Sequence, residues 1–271
     1  MTATAPQTTD DYSAFCEGVR ALTRIDLLQY KRGQMERRIR TFAQRRGVTE
    51  LPVYLAQLRG DRAELDEFLD RMTINVSQLW RNPEQWSVLE QHVLPELLAD
   101  RGSVKAWSAG CSYGAEAYTL AALSRELHER ERRIGSPRFE VLGTDIDRRM
   151  VDRATRGRFS DEDARTAPKR LLERWFERDG DGWQATRALR SLTRFEVGDL
   201  LRLHPRREAY DLVLCRNTVI YFTEDVRDQL HERLVASLRP GGYLVIGATE
   251  RVSHPRELGL LATHPFTYRK S

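Results

Sequence analysis

From Asp10 to about Met72 the apolar residues recur at helical spacing: Phe15, Val19 and Leu22, then Met35, Ile39 and Phe42, then Leu65, Phe68, Leu69 and Met72. No strand pattern interrupts them, which predicts a small all-helical domain. After a polar stretch around Asn75 and Ser77, an amphipathic helix is expected from about Pro83 to Ala99. From there short apolar runs alternate with helical ones. Val104 to Ser108, Phe139 to Asp145 and Tyr210 to Cys215 read as strands, and Ala115 to Arg133 and Arg148 to Thr155 as helices. Thr223 is placed to cap a helix carrying Val226, Leu230, Leu234 and Leu238, which Pro240, Gly241 and Gly242 end before a strand from Tyr243 to Gly247. Helices of this length between strands imply a mostly parallel, doubly wound α/β sheet covered on both faces.

Between Gly157 and Val197 the alternation breaks into a helix near Lys169 to Phe176, the turn Asp179-Gly180-Asp181-Gly182 and short mixed segments, expected as a small inserted β-subdomain. The boundaries expected from these patterns are a helical domain over 10–74 and an α/β domain over 75–271, with the insertion at about 157–197.

The 271 residues, 40% hydrophobic and 31% charged, have the composition of a globular protein. No apolar run reaches the roughly 18 residues of a membrane helix, and Met1 to Tyr12 lacks the basic start and apolar segment of a secretory signal, so a cytoplasmic protein without membrane insertion is expected. Cys16, Cys111 and Cys215 lie far apart, without zinc-site or disulfide spacing, and are expected as buried thiols; the six histidines also lack metal-ligand spacing. No metal is expected. The net charge of +4 is concentrated between Lys31 and Arg46, where seven basic residues face one acid, Glu36. With Met35, Ile39 and Phe42 on one helix face, Arg37, Arg38, Arg40 and Arg45 fall on the other, a surface suited to an acidic partner.

The stretch from Val104 to Tyr118 runs from a strand through the small-residue loop Ala109-Gly110-Cys111-Ser112-Tyr113-Gly114 into a helix, where doubly wound sheets bind nucleotides. It lacks the dinucleotide fingerprint and the lysine of a P-loop. Glu116 at the helix start disfavours a phosphate and suits an ammonium group. Asp145, ending the second strand, stands where such folds bind ribose hydroxyls, while Asp147 is free to cap the next helix. Asp199, after Phe195-Glu196-Val197-Gly198, is placed to accept from an adenine amino group. Together these acids predict S-adenosylmethionine as the ligand.

The chain resembles the CheR family of protein-glutamate O-methyltransferases, which methylate chemotaxis receptors, over nearly its whole length. The resemblance rests on Thr73-Ile74-Asn75-Val76-Ser77-Gln78-Leu79-Trp80-Arg81, similar to the family's T-x-N-x-T-x-F-F-R; on the Trp107 to Glu116 loop; on Thr144-Asp145-Ile146-Asp147; and on Cys215-Arg216-Asn217-Thr218-Val219-Ile220-Tyr221-Phe222. It implies a Rossmann-like methyltransferase domain, S-adenosylmethionine as methyl donor and S-adenosylhomocysteine as product. It implies cofactor contacts at Asn75, Ser77, Arg81, Glu116, Asp145, Asp199, Leu200, Arg216 and Asn217, with Arg81 and Tyr221 flanking the reacting methyl group.

The departures keep the needed chemistry: Ser77 replaces threonine, Leu79-Trp80 a phenylalanine pair, Ala115 and Ala117 the residues around Glu116, and Asp199 a common asparagine. The partner implied is the Glu- and Gln-rich cytoplasmic methylation helix of a receptor, docked on Arg37, Arg38, Arg40 and Arg45. Some members also tether a receptor's C-terminal peptide on the insertion, but the Asp179 to Gly182 turn is short beside theirs, so a tether-independent enzyme is expected. A carboxylate ionises near pH 4.3, so such an enzyme needs no general base. Two rival readings are a non-catalytic S-adenosylmethionine-binding module and a nucleic-acid methyltransferase. Against the latter, Arg216-Asn217-Thr218-Val219 stands where amino-methylating enzymes carry an Asp/Asn-Pro-Pro-aromatic motif.

Overall fold

A computed structural model of the chain describes residues 10–72, 77–100, 103–131 and 138–271. Its contacts divide into two compact units, one comprising the chain up to residue 74 with Tyr221–Thr223, the other 75–220 with 224–271.

Among the described residues of the first unit, the α-helices are α1 (Asp11–Thr23), α2 (Arg32–Arg45), α3 (Leu51–Gly60) and α4 (Arg62–Met72). Asp10 caps α1 by accepting from the Ser13 N–H, as an extended N-cap residue should. Of the apolar stripes read from the sequence, Phe15, Val19, Met35, Ile39, Phe42, Leu65, Phe68 and Met72 are buried, whereas Leu22, in the last turn of α1, is exposed; Phe15, Phe42, Tyr54 and Phe68 form an aromatic cluster with ring centroids 5.7 to 6.5 Å apart. Within this unit the Lys31 N–H donates to the Tyr221 carbonyl and the Thr223 N–H to the Gln29 carbonyl.

The second unit opens with α5 (Pro83–Val88), a π-helical turn (Leu89–Val93) and α6 (Leu94–Asp100), continuous in register with the single helix expected there. Then come β1 (Val104–Ala109), α7 (Ala115–Arg130), β2 (Phe139–Asp145), α8 (Arg148–Arg156), β3 (Arg158–Ser160), α9 (Lys169–Trp175), β4 (Phe176–Asp179), β5 (Gly182–Ala185), α10 (Arg187–Arg190) and β6 (Thr193–Val197). The chain ends with β7 (Tyr210–Cys215), α11 (Glu224–Ser237), β8 (Leu238–Ile246), β9 (Leu260–His264) and β10 (Thr267–Lys270).

Seven strands form one sheet in the order β6-β2-β1-β7-β8-β10-β9, parallel from β6 through β8 and closed by antiparallel β10 and β9. The chain leaves β1 toward β2 and β6, then returns to lay β7 against the other side of β1. The order therefore reverses between β1 and β7, where open α/β sheets hold ligands beyond their carboxyl ends. β3, β5 and β4 form a separate antiparallel sheet. The inserted sheet thus spans residues 158–185, narrower than the expected 157–197, because β6 joins the large sheet along β2. A second difference lies at Leu238: it is fully buried at the start of β8 instead of ending a helix, since a core-facing residue at this point satisfies either periodicity.

Candidate active site at the carboxyl edge of the sheet

The β1–α7 loop is built from backbone that other residues would block. Gly110 and Gly114 have φ of 76° and 85°, and a Cβ on Gly110 would lie 2.6 Å from Thr218 Oγ1. Ser112 is also left-handed, with φ 49°. This conformation aims the Ser112 N–H at Asp145 Oδ2, 2.7 Å away, while Oδ1 accepts the Asp147 N–H at 3.0 Å. Asp147 caps α8 by accepting from the Arg149 N–H at 2.9 Å, the role expected of it. Burial pushes the Asp145 carboxyl up to about 6, against the lowering effect of those peptide donors.

Glu116, in the first turn of α7, accepts from the Ser108 hydroxyl at 2.7 Å and forms a salt bridge with Arg216 at 3.2 Å. Its carboxylate is therefore partly committed to the protein itself, where the sequence suggested an ammonium partner alone. Burial raises the Glu116 pKa and the Arg216, Ser108 and Arg81 groups lower it again; for Arg216 burial lowers the pKa and Glu116 raises it. The Arg216 guanidinium also donates to Gln85 Oε1 at 3.0 Å and to the Arg81 carbonyl at 2.7 Å, and it lies over the Trp86 ring. Gln85 in turn donates to the Ile246 carbonyl at 2.8 Å. The α5 helix is thereby fixed to the ends of β7 and β8.

The remaining expected residues are distributed as follows. Asn217, with φ 59°, follows Arg216 and donates its N–H to Glu250 at 3.0 Å. Asp199 accepts from the Leu201 N–H at 2.9 Å and pairs with Arg202 at 3.4 Å, so it shapes its own turn; Leu200 is buried beside it. The Ser77 carbonyl accepts from the Tyr113 hydroxyl, which also lies 2.9 Å from Asp163. Leu79 donates to the Asp163 carbonyl at 2.9 Å, and Thr166 donates to the Leu79 carbonyl at 2.6 Å. Asn75 lies outside the described residues. Tyr221 clusters with the helical unit.

On that unit the basic face differs from the one expected. Arg40 pairs with Asp11 and Glu36, both at 2.8 Å, and Arg38 donates to the Met72 carbonyl at 3.1 Å, while Arg37 and Arg45 are exposed. Acids from other helices, invisible to a local count, offset part of the charge.

Sequence reasoning overlooked Ser112, Gln85 and Glu250. The last was accessible as an acid three residues beyond Gly247, at the same sheet edge as Asp145 and Asp199.

Comparison with known proteins decides the family. Residues 75–265 match the family described as CheR methyltransferase, SAM binding domain, and residues 10–73 the one described as CheR methyltransferase, all-alpha domain. The chain belongs to the CheR methyltransferase family. A relative named chemotaxis protein methyltransferase, from Listeria monocytogenes, is 35% identical over 267 residues, covering 98% of this chain and 99% of its own. Chemotaxis protein methyltransferase 1 of Pseudomonas aeruginosa is 30% identical over 222 residues, covering 80% of this chain and 81% of its own.

The carboxyl edge of this CheR methyltransferase fits S-adenosylmethionine. The carboxylates of buried Asp145 and part-buried Glu116 give the edge the negative character a cationic ligand needs, and the Ser112 hydroxyl is buried without a partner among the described residues. Ser112 Oγ is thus a group that a polar ligand in this loop would satisfy. The three cysteines are buried free thiols, and burial pushes Cys16 up to about 11, which keeps it protonated and inert. Among the described residues no group of three or more His, Cys, Asp or Glu is arranged to hold a metal ion, and no helix is long and apolar enough to cross a membrane.

Proposed function

We propose that this protein methylates glutamate side chains of chemotaxis receptors, producing glutamate methyl esters and S-adenosylhomocysteine. The observation that carries this reading is the match of both family domains over nearly the whole chain, joined to a sheet edge whose Glu116 and Asp145 carboxylates suit a cation. Bound S-adenosylmethionine supplies an electrophilic methyl group on a sulfonium centre.

The chain's own task is to bind, orient and desolvate. Glu116 holds the amino-acid end of the cofactor with Arg216 as its internal counter-ion. Asp145 accepts ribose hydroxyls with the lone pairs that the Ser112 and Asp147 amides leave open. Asp199, Leu200, Asn217, Ser77 and Asn75 complete the cofactor contacts. Arg81 orients the substrate carboxylate, and the Tyr221 hydroxyl donates to it; neither removes a proton, because a glutamate is already ionised at neutral pH. Catalysis is then chiefly proximity: a carboxylate oxygen held in line and stripped of water. The α2 face docks the acidic receptor helix, with exposed Arg37 and Arg45 as its principal charges, assisted by Arg38 and Arg40. The insertion carries no receptor tail.

Incubation with tritiated S-adenosylmethionine and receptor cytoplasmic fragments tests this. Label released from the receptor by mild alkali as methanol is expected. Alkali-stable label, or label passed to oligonucleotides instead, overturns the reading.

A further inference from the structure

Glu250 lies four residues beyond the end of β8 and is only 3% exposed, a depth at which a carboxylate is costly unless satisfied. Its partners are peptide groups. Oε2 accepts from the Gly247 N–H at 2.6 Å and the Asn217 N–H at 3.0 Å, and Oε1 from the Val219 N–H at 3.1 Å. Gly247 follows β8, whereas Asn217 and Val219 follow β7, and the two strands end side by side with Cys215 opposite Ile246. One carboxylate therefore ties together the loops of two neighbouring strands.

The tie has work to do. Asn217 is left-handed, a conformation unfavourable for a residue with a Cβ and one that needs outside support. A Cβ on Gly247 would lie 2.7 Å from Glu250 Oε2 and 2.8 Å from the Asn217 nitrogen, so only glycine leaves the clamp its room. On its far side the same loop closes on Gly110, where Thr218 occupies the space a side chain would need. Its first residue, Arg216, grips Glu116.

We propose that Glu250 is a positioning residue that fastens the Arg216–Val219 loop against the Gly110 loop and so holds Arg216 and Asn217 in place for the cofactor. This rests on the reading of the carboxyl edge as the S-adenosylmethionine site.

The test compares full-length wild type with Glu250→Gln and Gly247→Ala. It measures S-adenosylhomocysteine binding by calorimetry, Michaelis constants for cofactor and receptor fragment, and amide hydrogen exchange at Asn217 and Val219. Loss of a charge-assisted peptide bond is expected to weaken S-adenosylhomocysteine roughly tenfold or more in Glu250→Gln. The cofactor Michaelis constant should rise in parallel while that for receptor stays within about twofold, a split that general destabilisation does not produce. A folded Glu250→Gln protein binding S-adenosylhomocysteine within about twofold of wild type overturns the proposal. Should that variant not fold, Gly247→Ala decides by the same criterion, because it displaces the clamp while keeping its charge. Exchange at Asn217 and Val219 must quicken in either variant, and this readout judges the clamp without any cofactor. Failure of the wild type itself to bind S-adenosylhomocysteine counts instead against the cofactor reading.

Discussion

Arg216 and Glu116, one hundred residues apart in the chain, meet in a largely buried salt bridge of 3.2 Å, with the Ser108 hydroxyl also donating to the carboxylate. Buried pairs of this kind are weak sources of net stability, but removing one member strands the other. Glu116→Gln is therefore expected to cost about 3 kcal/mol, read as a lowered melting temperature. The double variant Glu116→Gln/Arg216→Met should recover part of that loss while leaving cofactor binding impaired. Additive losses in the cycle would show that the two residues are not coupled.

Under the proposed ribose contact, Asp145 gives cofactor binding a pH dependence. Its carboxyl sits at about 6, raised by burial from an ordinary 3.8. The ionised form, which in that role accepts ribose hydroxyls, is lost as pH falls through about 6. S-adenosylhomocysteine affinity should weaken below that point, by up to about tenfold per pH unit until the pKa of the bound state is reached. The same shift makes the unliganded fold lose stability as pH rises from 3.8 to 6, because the folded state binds the proton more tightly. Titration calorimetry between pH 5 and 8, with Asp145→Asn as a flat, weak-binding control, checks the first sign, and melting temperatures of the unliganded protein across the range from 3.8 to 6 check the second.

His231, in α11, is 1% exposed and neither ring nitrogen has a hydrogen-bond partner among the described residues. Burial, with the Arg227 charge assisting and Asp228 opposing, pushes it down to about 4 from 6.5. A depressed histidine pKa stabilises the fold above 6.5, and that stabilisation disappears as pH falls from 6.5 to 4. The loss amounts to roughly 3 kcal/mol. His231→Leu should flatten the acid limb of a melting-temperature profile; an unchanged acid limb would exclude His231 as its source.

The proposed docking role of α2 is separable from its structural one. Charge reversal at exposed Arg37 and Arg45 should raise the Michaelis constant for receptor fragments severalfold and reduce its salt dependence, with the melting temperature within a few degrees of wild type. Arg40→Glu should instead destabilise the helical unit, since Arg40 joins Asp11 and Glu36. Equal receptor Michaelis constants for wild type and the Arg37→Glu/Arg45→Glu variant would remove the basic face from substrate recognition.

Several of these features were legible from order and spacing alone. The β1 strand, the glycines after it and the acid ending β2 announced a ligand-binding edge, because each depends on local backbone needs that residue type exposes: φ above zero at Gly110 and Gly114, a helix cap at Asp147. What stayed hidden was tertiary. Nothing near Glu116 indicates that Arg216 would neutralise it. Nothing near Arg40 indicates Asp11, and nothing near Asn217 indicates the carboxylate of Glu250. The place of β6 was obscured because half-exposed edge strands carry no continuous apolar run.

The three-stranded insertion forms its own sheet, as an interchangeable cassette would. Its Asp163 and Thr166 nevertheless fasten Leu79, and Asp163 shares the Tyr113 hydroxyl with Ser77, two to four residues ahead of Arg81. A chimaera that transplants the insertion from a relative must therefore bring matching residues at 77–79 and 113. Otherwise it will graft a new surface and, unintentionally, retune the strap that carries Arg81.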